Sequence, residues 1–182
     1  MLKNEVEVPE NIEVSFVDDK LTVKGEKGSI TKEFKHPQVK MKVEGKKIII
    51  TSEIEKRKAK AVIGTWSAIL KNMFIGVTKG WKGELKIVYS HFPIKAKVEG
   101  QTLLIENFLG ERSPRKVLLP KDVKVEINQN TILVSGIDKE LVGNTCGKIE
   151  LATKIKGYDK RVFQDGVYTT KKPYVEGEDG KS

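Results

Sequence analysis

The densest chemistry in the 182-residue chain lies between Lys148 and Lys172. Lys148, Lys154, Lys156, Lys160, Arg161, Lys171 and Lys172 stand there with Tyr158, Phe163 and Tyr168 interleaved, opposed by Asp159 and Asp165. Cations neutralise phosphates and rings stack on bases, so this mixture is what a surface following a nucleic-acid backbone needs. Gly143 and Gly147 fall on the helix predicted just upstream. Lacking side chains, they either let a ligand approach the helix backbone or let the helix pack tightly on a sheet. Asp165-Gly166 is a turn pair: the carboxylate can bond its own backbone while the glycine takes a positive φ. Asp165 is therefore expected to fix that turn or to orient Arg161, with Phe163, Gly166 and Tyr168 shaping the same loop.

A second cluster, Arg112-Ser-Pro-Arg115-Lys116, comes after Gly110-Glu111 and could trace a phosphate backbone from a mobile loop or simply be solvated. Lys56-Arg57-Lys58-Ala-Lys60 opens an earlier helix, where positive charge opposes the helix dipole; it reads as a solvated face, with an RNA contact as the alternative. Enzymatic chemistry finds no support. The lone Cys146, with His36 and His91 far apart and each beside a turn proline, gives no metal-ligand spacing. No local Ser-His-Asp or Cys-His grouping appears, and neither Gly25/Gly28 nor Gly143/Gly147 fits a phosphate-loop or dinucleotide fingerprint. No cofactor or metal is called for.

Net charge is +9 with a pI near 9.4, spread over both halves, so a polyanionic partner is expected. Of 34 basic residues four are Arg (Arg57, Arg112, Arg115, Arg161), and a lysine-rich surface suits backbone contact better than bidentate readout. One cysteine points to a reducing compartment. The charged start, Met1-Leu-Lys-Asn-Glu-Val-Glu-Val, is not a secretory signal, and no stretch approaches the ~20 apolar residues of a membrane helix. A cytoplasmic protein without a membrane partner is the expectation.

These residues are positioned by a repeat. Val43-Glu44 lies over Val125-Glu126, and with one residue of slack Ile50, Ser52, Ile54 and Gly64 meet Leu133, Ser135, Ile137 and Gly147. Upstream, Leu21-Thr-Val23 falls on Leu103-Leu-Ile105, and Gly28 on Gly110. One repetition at about half the chain length means two copies of a small domain. Each copy reads as short, mostly alternating strands succeeded by one helix, the fold class being α+β with one helix on a face of an antiparallel-rich sheet. The first helix carries Ala59, Val62, Ile63, Trp66, Ile69, Leu70, Met73 and Val77; the second carries Val142, Cys146, Ile149, Ala152 and Ile155 before Gly157. Ser52 and Glu55, then Ser135 and Asp138, have capping-box spacing. The expected modules are 1–85 and 86–174, with 84–89 carrying the chain between them and a flexible tail over 175–182.

Arg161-Val-Phe163-Gln-Asp165-Gly166-Val167-Tyr168-Thr-Thr-Lys171 resembles the C-terminal signature of the large-ribosomal-subunit protein six family, in its archaeal and eukaryotic form. Val88-Tyr89-Ser-His91-Phe92-Pro93-Ile94, Glu106-Asn107-Phe108-Leu109-Gly110-Glu111 and Gly76-Val-Thr-Lys-Gly80 agree with it, so the resemblance spans nearly the whole chain. Leu151 and Tyr158 depart from it, standing where the family has Gln and Lys or Arg. The resemblance implies a structural, non-enzymatic protein, a monomer within the ribosome, that binds large-subunit rRNA mainly through its C-terminal module. It would sit near the sarcin–ricin loop, with neighbouring ribosomal proteins and the landing site of translational GTPases close by. A protein–protein scaffold and an RNA-processing factor are the other readings of the same composition.

Overall fold

The computed structural model describes residues 2–176. The chain forms two compact units, Met1–Gly80 and Trp81–Ser182. In the first, β1 (Leu2–Glu7), β2 (Glu13–Val17), β3 (Lys20–Gly25), β4 (Gly28–Glu33), β5 (Lys40–Glu44) and β6 (Lys47–Ser52) precede α1 (Arg57–Thr78). They make two antiparallel sheets, β1-β6-β5 and β2-β3-β4. Period-two alternation puts Leu21, Val23, Ile48 and Ile50 wholly inside, where the stripe of α1 (Ile63, Trp66, Leu70, Met73, Val77) covers them. Phe34 meets Trp66 edge to face at 5.4 Å. Gly25 is obligatory here, because a Cβ would stand 2.8 Å from the Val77 carbonyl oxygen. By length and composition α1 could cross a membrane, contrary to the expectation that no stretch comes near; its buried stripe accounts for that apolarity.

The second unit starts earlier than the sequence suggested. β7 (Trp81–Val88) is no connector but an interior strand of the four-stranded sheet β11-β12-β7-β13, so Trp81–Leu85 belong to the second unit. Around it stand β8 (Lys95–Glu99), β9 (Thr102–Glu106), β10 (Arg115–Leu118), β11 (Val123–Asn128), β12 (Thr131–Gly136), α2 (Lys139–Ala152) and β13 (Gly166–Tyr174). β10-β9-β8 is the second sheet. Val175 is buried and Glu176 pairs with Lys82 at 2.7 Å, so the expected loose tail does not begin at residue 175; the remainder, 177–182, lies outside the described residues.

Strand order repeats between the units: β1-β6-β5 corresponds to β7-β12-β11, and β2-β3-β4 to β8-β9-β10. The hairpins fix the alignment. Val17 and Lys20 close on Asp18-Asp19 as Glu99 and Thr102 close on Gly100-Gln101, which agrees with the sequence match of Leu21 to Leu103. Further on, Glu44 and Lys47 close on Gly45-Lys46, and Asn128 and Thr131 on Gln129-Asn130, Gly45 and Gln129 both at positive φ (60° and 51°). Ile50 therefore corresponds to Val134, not Leu133, and Ser52 to Gly136, not Ser135. A one-residue slip would turn every side chain to the wrong face. Gly28 is not the counterpart of Gly110 either, since Gly110 lies in a longer excursion between β9 and β10.

Neither capping box forms. Ser52 is still in β6, and its hydroxyl is bonded by the Ile54 amide at 3.2 Å, leaving Lys56 to begin α1 without a side-chain cap. In α2 Asp138 is itself the cap, accepting from the Glu140 amide at 3.0 Å, while Ser135 lies in β12. α2 also stops at Ala152, which leaves Lys154, Ile155 and Lys156 in the loop beyond it.

Candidate nucleic-acid interface

Thr153, buried at the end of α2, ties down both ends of the loop that carries Lys154, Lys156, Lys160 and Arg161. Its Oγ1 accepts from the Val167 amide at 2.9 Å, so the chain leaves α2 and re-enters β13 at one point. Between them Asp159 organises a tight turn: its Oδ1 accepts from the Arg161 amide at 2.9 Å and its carbonyl from the Val162 and Phe163 amides. The turn throws Lys160 and Arg161 outward and Phe163 inward. Phe163 packs between His91 and Tyr158, both centroids at 4.9 Å. Lys148, Lys154, Lys156, Lys160, Arg161 and Lys172 are exposed and form no ion pair among the described residues. Free cations on a pinned loop can meet an anion without first breaking internal bonds.

Asp165 neither bonds its own backbone turn nor orients Arg161. It is fully buried, and its Oδ1 accepts from the Ser90 hydroxyl at 3.0 Å and the Ser90 amide at 3.4 Å, tying β13 to the segment after β7. Burial works against the charged carboxylate. The Ser90 bonds, the His91 amide and the nearby imidazole outweigh it and hold the carboxyl below its usual range. Gly166 is next in the chain at φ 157°, with its Cα face against the Tyr168 ring.

Folding thus brings Ser90, His91 and Asp165 together, a grouping that no sequence spacing revealed. Its geometry is not that of a nucleophilic triad. The Ser90 hydroxyl gives its proton directly to Asp165, and the carboxylate and hydroxyl crowd the same imidazole nitrogen: Nδ1 is 3.0 Å from Ser90 Oγ and 3.8 Å from Asp165 Oδ1. An orienting carboxylate belongs on the ring nitrogen opposite the nucleophile. The cluster is a clamp that also supports the Phe163 ring.

Arg115 is occupied internally. Its Nε and Nη2 hold Glu111 at 2.9 and 2.6 Å, its Nη1 donates to the Ala152 carbonyl at 2.6 Å, and its guanidinium lies 4.3 Å over the Phe108 ring. The Arg115 bonds outweigh desolvation and keep the Glu111 carboxyl below its usual range. Arg115 therefore finishes α2, satisfying one of the carbonyls every helix end leaves over. Arg112 and Lys116 remain exposed and free of ion pairs among the described residues. Lys171 is exposed but engaged, 3.4 Å from Glu84 and 5.2 Å from the Tyr174 ring centre. The two helix glycines separate: a Cβ on Gly143 would touch Pro173 at 3.4 Å, the packing reading, whereas Gly147 has open space. Sequence reasoning missed Ser90, Glu84 and Glu111, ordinary polar residues whose partners are remote or whose role depends on how a loop folds back.

A family model described as ribosomal protein L6 matches residues 8–80 and 92–166, one stretch in each unit. The chain is 44% identical over 167 residues to large ribosomal subunit protein uL6 of Methanosarcina mazei, covering 92% of this chain and 95% of that relative. It is 42% identical over 173 residues to the protein of the same name from Haloarcula marismortui, covering 95% and 97%. To that of Methanothrix thermoacetophila it is 42% identical over 167 residues, covering 92% and 95%.

Proposed function

This chain belongs to the ribosomal protein L6 family, and we propose that it holds large-subunit rRNA with the surface around the α2–β13 loop, beside the sarcin–ricin loop and the landing site of translational GTPases. It is a structural, non-enzymatic component of the large ribosomal subunit in the cytoplasm, associated with rRNA and neighbouring ribosomal proteins. One observation supports this loop as an rRNA-holding surface: Lys154, Lys156, Lys160 and Arg161 stand exposed, with no ion pair among the described residues, on a loop fixed at both ends by Thr153. Such a surface works by neutralising phosphates and releasing their counterions, while its rigidity selects folded RNA by shape.

The test is binding of the full chain to purified large-subunit rRNA across a salt series. Neutralising about five phosphates makes log K fall with log salt by a slope of several units. Replacing Lys156, Lys160 and Arg161 together by alanine should flatten that slope, and hydroxyl-radical cleavage tethered at residue 160 should cut at the sarcin–ricin loop. A wild-type slope near zero would favour a protein–protein scaffold instead. Cuts confined to other rRNA regions would leave the rRNA role standing and overturn its location.

A further inference from the structure

Behind the loop, between it and the end of α2, lies a cleft of about 290 Å³. Its floor is apolar: Ile155 is buried there, and Leu151 stands at the rim, 68% exposed. Tyr168 and Phe163 are its aromatic walls, and Lys154 and Lys160 line it as well. That volume is near the lower end for small-molecule sites, about right for one planar heterocycle and too small for a folded helix of any kind.

Both walls are held before anything arrives. The Tyr168 hydroxyl donates to the Gln164 carbonyl at 3.1 Å, and its ring rests on the Cα of Gly166, where a Cβ would come within 3.4 Å. Phe163 is kept in place by His91 and Tyr158. Aromatic side chains that need no ordering on binding are the usual platform for an unstacked base, because every base has a π-face. Lys154 and Lys160 have no ion-pair partner among the described residues, so the positive charge at the cleft is uncommitted. The one acid lining it among the described residues, Glu150, has Oε2 engaged by the Thr169 amide at 3.1 Å. A purely apolar ligand would leave both lysines unused. An anionic one without a ring would leave the walls unused.

We propose that this cleft receives a single unstacked nucleotide of the bound rRNA, its base against Tyr168 over Ile155 and its phosphate between Lys154 and Lys160. The assignment rests on the rRNA-binding reading above and adds to it a point of insertion. A protein that only tracks phosphates slides easily between equivalent positions; one that also swallows a base is locked in register.

Ultraviolet crosslinking of the full chain on purified large-subunit rRNA, with the joined peptide and nucleotide identified by mass spectrometry, tests the insertion. A crosslink from Tyr168 or Phe163 to one nucleotide is expected. Tyr168→Leu should abolish it and weaken binding about tenfold at an unchanged salt slope, the loss expected for one base stack. Tyr168→Phe, which keeps the ring, should restore most of the affinity. Should Tyr168→Leu unfold, Leu151→Trp fills the exposed mouth without touching the core and should likewise remove the crosslink. Crosslinks only outside the cleft, or wild-type affinity in a folded Tyr168→Leu or in Leu151→Trp, would overturn the insertion while rRNA binding stands. A wild-type chain that does not bind the rRNA would overturn both.

Discussion

Ser90 Oγ donates to Asp165 Oδ1 at 3.0 Å, and this bond joins the segment leaving β7 to the residue just before β13. Asp165 is wholly buried, and its Oδ2 has no hydrogen-bond partner among the described residues. The carboxylate is thus a costly group retained for one connection, and that connection sets the floor on which His91 and Phe163 stack.

Asp165→Asn should lower stability at neutral pH by up to ~1.5–3 kcal/mol, the range for hydrogen bonds to a charged group, because Asn keeps the acceptor but not the charge. The direction of the shift sets the pH dependence. Asp165 is more acidic folded than unfolded, so its contribution is complete above the unfolded value of 3.8 and is lost as pH falls through the lower folded value. Thermal unfolding of both proteins from roughly pH 3 to 7 should show the gap between them shrinking on the acid side. A gap constant with pH would mean that the charge of Asp165 contributes nothing.

Arg161 and Arg115 should separate binding from stability. Arg161 is exposed, with no side-chain partner among the described residues, so Arg161→Ala should weaken rRNA binding by ~1.5–3 kcal/mol at unchanged thermal stability. Arg115→Ala removes the Glu111 pair and the Ala152 contact together, and should cost about 2 kcal/mol of folding stability with little direct effect on affinity. A salt-series titration beside an unfolding curve for each variant decides it. Wild-type binding by Arg161→Ala would remove that loop from the interface.

Both arginines sit in basic clusters that look alike in sequence, which shows where sequence reading stopped. It reached the repeat, the α+β class and the apolar stripes, because those depend on periodicity along the chain. Lys154, Lys160 and Arg161 were legible as exposed cations because nothing near them in sequence could bury them. Arg115 was not, since its Ala152 and Phe108 partners become neighbours only when β10 meets the end of α2. β1 is not legible in the sequence, because Leu2–Glu7 alternates through charged residues and buries Val6 alone. The repeat was read out of register at β6 and β12 because two apolar strands align by identity equally well one residue apart, and only the hairpin pairing tells the faces from one another.

Gly83 of β7 leaves room for Cys146 of α2: a Cβ there would stand 2.7 Å from Cys146 Sγ. Gly83→Ala should destabilise by ~1–3 kcal/mol through overpacking, and Cys146→Ala should recover much of that loss in the double variant. The same burial pushes the Cys146 thiol up to about 11, so the native protein should resist thiol reagents until it unfolds. Denaturant melts of the four proteins measure the coupling; strict additivity would show that the two groups do not meet.

The boundary of the second unit gives the last test. β7 lies between β12 and β13, pairing Gly136 with Trp81 through Thr131 with Lys86 on one side and Gly166 with Val88 through Tyr174 with Lys82 on the other. Cutting at Lys86, where the repeat alone suggests a module starts, removes Trp81, Leu85, nearly all of the β12 ladder and half of the β13 ladder. The exposed edges of β12 and β13 would then present unpaired backbone over an uncovered apolar face. A fragment covering 81–176 should unfold in one cooperative transition, whereas one covering 86–176 should be unfolded or aggregate. Circular dichroism on heating, with light scattering, distinguishes them. If the 86–176 fragment melts cooperatively at the temperature of the longer one, β7 is dispensable and the assignment of Trp81–Leu85 to this unit is wrong.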